Sequence, residues 1–319
     1  MKNYFDFLFS GKKFFPYWFV FYVATIAITV IFQITMKKPP VHTALLATLL
    51  MVVVVTLITL LYYFFYLKMV IDATRLKDEN LVFKGTFGRF LSKALYGLLL
   101  TVLTVGIYYP WFKATMTRFF VNKTSYQDKP FEFQPDGTSL FVILLITLLP
   151  VFLLIFVLSF ISGGTVGERS ACATVGLQVL TYFLIIPMIY GVYNWFMNFD
   201  YDNLNIHWET DLWPSIGKIA LELFFTVITF GIYFPMMYIK LYHYFVGRTV
   251  AENELRKYNF GYDIEQKADF LYFWGQTLLF IVTLGFYYPW MVQKLGRRFI
   301  SKTYVEKVET TEDEAEVSD

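Results

Sequence analysis

Long uncharged runs dominate the hydropathy pattern. Residues 14–36, 39–67, 137–167 and 170–199 contain no Asp, Glu, Lys or Arg, and each exceeds the about 20 residues that cross a bilayer. They predict four full transmembrane helices. Shorter apolar arms follow a different plan. Leu91 to Thr104 makes only about 21 Å of helix and ends in Thr104-Val105-Gly106-Ile107-Tyr108-Tyr109-Pro110, which returns as Thr229-Phe230-Gly231-Ile232-Tyr233-Phe234-Pro235 and as Thr283-Leu284-Gly285-Phe286-Tyr287-Tyr288-Pro289. Gly suits the left-handed residue just past a helix, and Pro suits the first turn of the next one, where its missing N–H has no partner to lose. Each copy therefore reads as helix, aromatic turn, helix. The expected fold class is an all-α polytopic membrane protein with four full transmembrane helices and three short or re-entrant helical hairpins, with short cytoplasmic Phe-x-Phe strands as the one β component.

The chain is built from repeats. Phe5, Phe7 and Gly11 recur as Phe131, Phe133 and Gly137; Asn80 and Phe83 recur as Asn205 and Trp208; Lys93, Pro110 and Thr124 recur as Lys218, Pro235 and Thr249. Self-similarity of this kind marks a duplicated structural unit. The expected division is a first unit over residues 1–129, a second over 130–254, a third aromatic-turn hairpin over 255–305, and an acidic, disordered tail over 306–319.

Composition agrees with a membrane protein. The chain is 57% hydrophobic and 21% aromatic, and only 16% charged, more apolar than a soluble core of this length requires. The first run is read as a retained helix, because no small-residue cleavage pattern follows it. If each aromatic-turn module returns to its starting side, all but three of the 27 lysines and arginines face the cytoplasm; the exceptions are Lys37, Lys38 and Arg169. A single crossing per module divides them almost evenly. The positive-inside rule thus favours returning hairpins and two cytoplasmic termini, with Cys172, the single cysteine, at an outer helix end. The net charge of +2 gives no signal for nucleic acid.

Taken together, Phe-x-Phe-x-x-x-Gly before an apolar helix, the Thr-x-Gly-Ile-Tyr-x-Pro-Trp turn, the basic helix after it, and the Asn122-Lys123-Thr124 step resemble the YjgN-like bacterial inner-membrane proteins. The likeness runs from about Phe5 to Thr303. Met236 stands where the turn otherwise has Trp, and Arg75 follows Thr74 without the Asn-x-Thr step. The resemblance implies an inner-membrane location and brings no catalytic residues, since the family is a domain of unknown function.

Candidate chemistry is sparse. No P-loop, zincin helix, Gly-x-Ser-x-Gly elbow or dinucleotide fingerprint occurs, so neither enzyme activity nor a cofactor nor a metal is expected. The polar candidates within the apolar arms are Glu222 and Gln276, which align with Gly97. A carboxylate in hydrocarbon faces a partner, a cavity or a pathway, while Lys218, one turn earlier, offers Glu222 an ion pair. Arg118, His243 and Arg297 occupy equivalent positions, as do Lys123, Arg248 and Lys302; they are candidate contacts for anionic headgroups, or plain interfacial anchors. The expected function is transport or permeation of a small solute or ion. The alternative is a non-enzymatic scaffold, or a lipid- or partner-binding protein, whose cytoplasmic Phe-x-Phe face docks a protein.

Overall fold

A computed structural model describes residues 2–37, 40–161 and 185–308. Cys172, Arg169 and the first half of the fourth uncharged run lie outside the described residues. Within them, short alternating segments form strands: β1 (Lys2–Phe7), β2 (Thr74–Leu76), β3 (Glu79–Asn80), β4 (Val82–Phe83), β5 (Thr124–Tyr126), β6 (Lys129–Phe133), β7 (Asn198–Tyr201), β8 (Leu204–Trp208), β9 (Thr249–Glu252), β10 (Lys257–Tyr262) and β11 (Thr303–Val308). All pair antiparallel in the order β3-β2-β1-β11-β10-β9-β8-β7-β6-β5-β4. The two ends of this order, β3 and β4, are adjoining pieces of chain separated by Leu81 alone, whose N–H bonds back to Thr74. The sheet is therefore a nearly closed, barrel-like ring.

This finding overturns the expected fold class. The protein is not all-α, and among its described residues two helices, not four, meet the length and hydropathy of a membrane span: residues 11–35 and 42–73. Beyond the Phe-x-Phe strands, such as β1 and β6, the sheet is not legible, because its strands are two to six residues long and because ring closure depends on the long-range pairing Lys2↔Glu306 and Tyr4↔Tyr304. β11 also carries the ordered chain into the stretch expected to be tail.

Connections alternate strictly between tight turns and helical hairpins. At one edge of the sheet, Lys77-Asp78, Gln127-Asp128 and Asp202-Asn203 all have positive φ at both positions, the geometry of a type I′ hairpin turn. Asn253 closes the fourth turn through its side chain, which accepts from the amides of Leu255 and Arg256. At the opposite edge leave five helical connections, built from α1 (Gly11–Thr35), α2 (Val41–Ala73), α3 (Phe87–Leu103), α4 (Tyr109–Asn122), α5 (Gly137–Ile161), α6 (Ile186–Phe196), α7 (Leu212–Ile228), α8 (Phe234–Val246), α9 (Gln266–Val282) and α10 (Tyr288–Ile300). Each described helix packs on the next along the chain, and α10 packs back on α1. A ring of helices thus stands on one rim of a ring of strands, with Lys2 and Val308 at the other rim.

The joint between the rings is aromatic. Phe7, Phe9 and Phe14 are fully buried where β1 enters α1, and Phe64, Phe83, Phe90, Phe119 and Phe120 form the matching cluster beneath α3 and α4. Each such side chain contributes roughly 1.5–3 kcal/mol by burial. Gly296 admits the Phe7 ring so closely that a Cβ there would collide with it.

Candidate functional site

The three aromatic turns share one hydrogen-bonding scheme. In the first, the N–H of Val105 bonds to Val102 and that of Gly106 to Thr101, the paired contacts of a Schellman motif. Gly106, Gly231 and Gly285 have φ of 90°, 86° and 94°, conformations that favour glycine. The residue just past each helix is not the glycine, however, but Val105, Phe230 or Leu284, also at positive φ. The threonine completes the turn: Thr104 Oγ1 accepts the Tyr108 N–H at 2.9 Å and donates to Leu100 O at 2.8 Å. Thr229 does the same for Tyr233, and Thr283 for Tyr287. Pro110, Pro235 and Pro289 stand in the first turn of the following helix.

Below each turn lies a position that differs from copy to copy. Glu222 is 1% exposed; it accepts from Lys218 Nζ at 2.7 Å and from the Tyr233 hydroxyl at 2.8 Å, with Lys240 Nζ at 3.9 Å. Lys240 also donates to the Tyr233 oxygen at 2.7 Å. Gln276 accepts from the Tyr287 hydroxyl at 2.7 Å. In the first copy the place of these side chains is filled by the Phe112 ring, which would collide with any Cβ on Gly97, and Tyr108 stacks on Trp111. The structure thus adds Tyr233 and Lys240 to the expected Lys218 and Glu222 pair. It does not bring Glu222 and Gln276 to a common site, since each is bound by the tyrosine of its own hairpin.

Nearer the barrel, a second triplet shows the same gradient. Phe90, Ser215 and Asp269 are equivalent and all buried. Phe90 sits among Phe83 and Phe119, whereas Ser215 bonds to the Tyr244 hydroxyl at 2.9 Å. Asp269 accepts from Arg298 Nε at 2.7 Å, Lys302 Nζ at 2.8 Å, the Tyr262 hydroxyl at 3.0 Å and the Glu265 amide at 3.0 Å. Burial alone pushes its carboxyl pKa up, but the hydrogen bonds from Lys302, the Glu265 amide, Arg298 and Tyr262 outweigh it and hold the pKa below the usual carboxylate value. Comparing residues 262, 269 and 298 with 83, 90 and 119 was the signal that could have revealed this network.

The basic candidates all lie on the barrel-side ends of α4, α8 and α10 or just past them. Arg118 donates to Pro135 O, His243 Nδ1 meets Tyr262 O at 3.0 Å, Arg248 lies 3.7 Å over the Tyr244 ring, and Lys302 binds Asp269. Lys123 and Arg297 adjoin them on α4 and α10 with no ion pair among the described residues. Asn122 accepts the Phe133 N–H at 2.9 Å. Asp72 does the same for Phe83 at 2.8 Å, so Asp72-Ala73-Thr74 is the step that seemed missing before Arg75, with a carboxylate in place of the amide.

Between the rings is a cavity of ≈ 240 Å³ lined by Phe5, Phe199, Ile206 and Phe260 from four strands and by Tyr193 and Val246 from two helices. Phe5 and Phe260 stack at 6.3 Å. Thr74, Thr249 and Thr303 also face it, but their hydroxyls are spent on the backbone carbonyls of Val70, Phe245 and Phe299. The Phe-x-Phe segments therefore do form strands, and Phe5 and Phe260 turn inward to this cavity.

Two helices of spanning length, together with the relatives that follow, make this a membrane protein. The chain belongs to the family described as bacterial protein of unknown function (DUF898), whose model matches residues 78–251 and so takes in the first two aromatic turns. It is also 32% identical over 77 residues to inner membrane protein YjgN of Salmonella typhimurium, a match covering 24% of this chain and 20% of that relative. The YjgN-like reading of the turn motif holds, and the inner membrane is the location these matches support. No solved structure matches the chain.

Proposed function

We propose that this chain is a non-enzymatic, lipid-interacting protein of the inner membrane, which takes an acyl chain or a similar apolar group into the cavity between its helical ring and its barrel. The observation that carries this reading is the cavity's chemistry. Its walls are almost wholly aromatic and aliphatic, with three threonine hydroxyls already bound to backbone, and such a lining suits an apolar ligand. At ≈ 240 Å³ it is slightly smaller than ordinary small-molecule pockets of about 300–1,000 Å³, which suits part of a chain rather than a whole lipid.

Transport has less support. The carboxylate expected to mark a pathway, Glu222, is enclosed by Lys218 and Tyr233 and serves its own hairpin. Lys2 and Val308 share the tight-turn rim of the barrel, and the bias of basic residues supports placing that rim in the cytoplasm. Headgroup contact then falls to Lys123, Arg297 and their basic neighbours at the barrel-side helix ends. The test is to fill the cavity. Ile206→Trp and Phe260→Trp should lower the affinity of the purified protein for a fluorescent fatty acid at least tenfold while retaining the wild-type melting profile. Unchanged affinity in both variants would remove the reading.

A further inference from the structure

We propose that the three aromatic turns end inside the hydrocarbon, near the bilayer midplane, so that their hairpins occupy one leaflet while the longer helices α1, α2 and α5 continue into the other. Depth is fixed by α1. Tyr22 is the twelfth residue of the 25 in α1, and its hydroxyl donates a 2.6 Å hydrogen bond to Leu284 O, at the tip of the third turn; the Tyr22 and Phe286 rings meet edge to face at 5.1 Å. About 20 Å of α1 continues beyond that contact. If α1 crosses the membrane, the third tip stops halfway. The second tip is tied to the same group of helices, because Trp274 Nε1 on α9 donates to Ile232 O at 3.1 Å. α3, α7 and α9 have 17 residues each, about 25 Å, short of the about 30 Å of a hydrocarbon core.

Side chains and backbone at the tips both fit an apolar solvent. Val105, Phe230 and Leu284 are 93%, 97% and 78% exposed at positive φ, a conformation that L-residues resist. In water Gly or Asn would relieve that cost and nothing would reward a bulky apolar group. In hydrocarbon the same side chain is stabilised by leaving water, which favours a bulky apolar residue in all three copies. The backbone is equally telling. From the threonine to the residue before Pro, every N–H of each turn has an acceptor within the turn or the helix end: Thr104 to Leu100, Val105 to Val102, Gly106 to Thr101, Ile107 to Thr104, Tyr108 to Thr104 Oγ1 and Tyr109 to Gly106, with the same scheme at 229–234 and 283–288. Lipid supplies no acceptor, so only such self-satisfied turns are tolerated within it.

The experiment uses the full-length protein with Cys172→Ser and a single cysteine at Val105, Phe230 or Leu284, each replacing an exposed side chain. The variants are labelled with a fluorophore in detergent and reconstituted into phosphatidylcholine vesicles carrying nitroxide either on the headgroup or near the acyl-chain end. Quenching by the chain-end nitroxide should exceed that by the headgroup nitroxide at least threefold at all three tips, and the unlabelled cysteines should resist an impermeant maleimide from both sides. A label at Lys2→Cys, on the barrel's polar rim, should show neither quenching. Stronger headgroup than chain-end quenching at the tips, or maleimide reaction from either side, would overturn the proposal.

Discussion

The Tyr233 hydroxyl donates a 2.8 Å hydrogen bond to Glu222 Oε2 across the second helical hairpin. The pair links the two arms just below the turn, and Lys218 and Lys240 complete it from either arm. In the next copy Tyr287 and Gln276 make the same link without the charge. The tyrosine is therefore common to both bonds, and the acceptor is the part that varies.

Tyr233→Phe should cost about 1.5–3 kcal/mol, the usual worth of a hydrogen bond to a charged group, because the Glu222 carboxylate remains buried with one donor fewer. Glu222→Gln should cost less, since Gln276 shows that an amide accepts from this tyrosine. Thermal unfolding in nanodiscs checks the order. Proton flux into vesicles should be the same for Glu222→Gln and wild type; a change would restore the transport reading.

Thr229→Val removes the acceptor of the Tyr233 N–H and should cost about 1–3 kcal/mol for the stranded donor. Thr229→Ser keeps the oxygen and should be close to wild type. The same contrast at Thr104 and Thr283 is read from folded yield and melting temperature.

Gly231→Ala isolates the backbone term, because a Cβ there meets nothing within 4 Å while φ stays at 86°. The expected loss is about 1–2 kcal/mol, measured by the same melts. Gly88→Ala, with open space and an ordinary φ, should show no loss.

Asp269 governs the acid limit. Its folded pKa is depressed, so the unfolded chain binds the proton more readily, and the network's stabilisation is complete above the unfolded pKa of about 3.9 and is lost as pH falls through the folded value. Asp269→Ala should cost about 1.5–3 kcal/mol at neutral pH, since Arg298 and Lys302 keep only the more exposed Glu265 as partner. The gap between variant and wild type should narrow below about pH 4 in pH-dependent melts.

The turns were legible in the sequence because their chemistry is local: Thr, Gly, Tyr and Pro act within eight residues of one another. The Lys218 and Glu222 pair was legible for the same reason. The barrel was not. Thr124 to Tyr126 and Thr249 to Glu252 follow basic helices so closely that they read as helix ends, and nothing near Tyr4 announces Tyr304 as its partner. Phe5 was visible as a strand residue, yet its inward direction follows only from the ring. Asp72 was hidden by a change of chemistry, a carboxylate serving where Asn122 uses an amide. Asp269 was hidden because its equivalents, Phe90 and Ser215, are not ionisable.

Photocrosslinking tests the central claim most directly. A fatty acid with a diazirine at its methyl end is added to the reconstituted protein, irradiated and mapped by peptide mass spectrometry. The account predicts adducts on the peptides bearing Phe5, Ile206 and Phe260, displaced by unlabelled fatty acid and abolished by Ile206→Trp. Adducts confined to outward-facing helix residues such as Leu99 and Phe224, unaffected by that substitution, would contradict it.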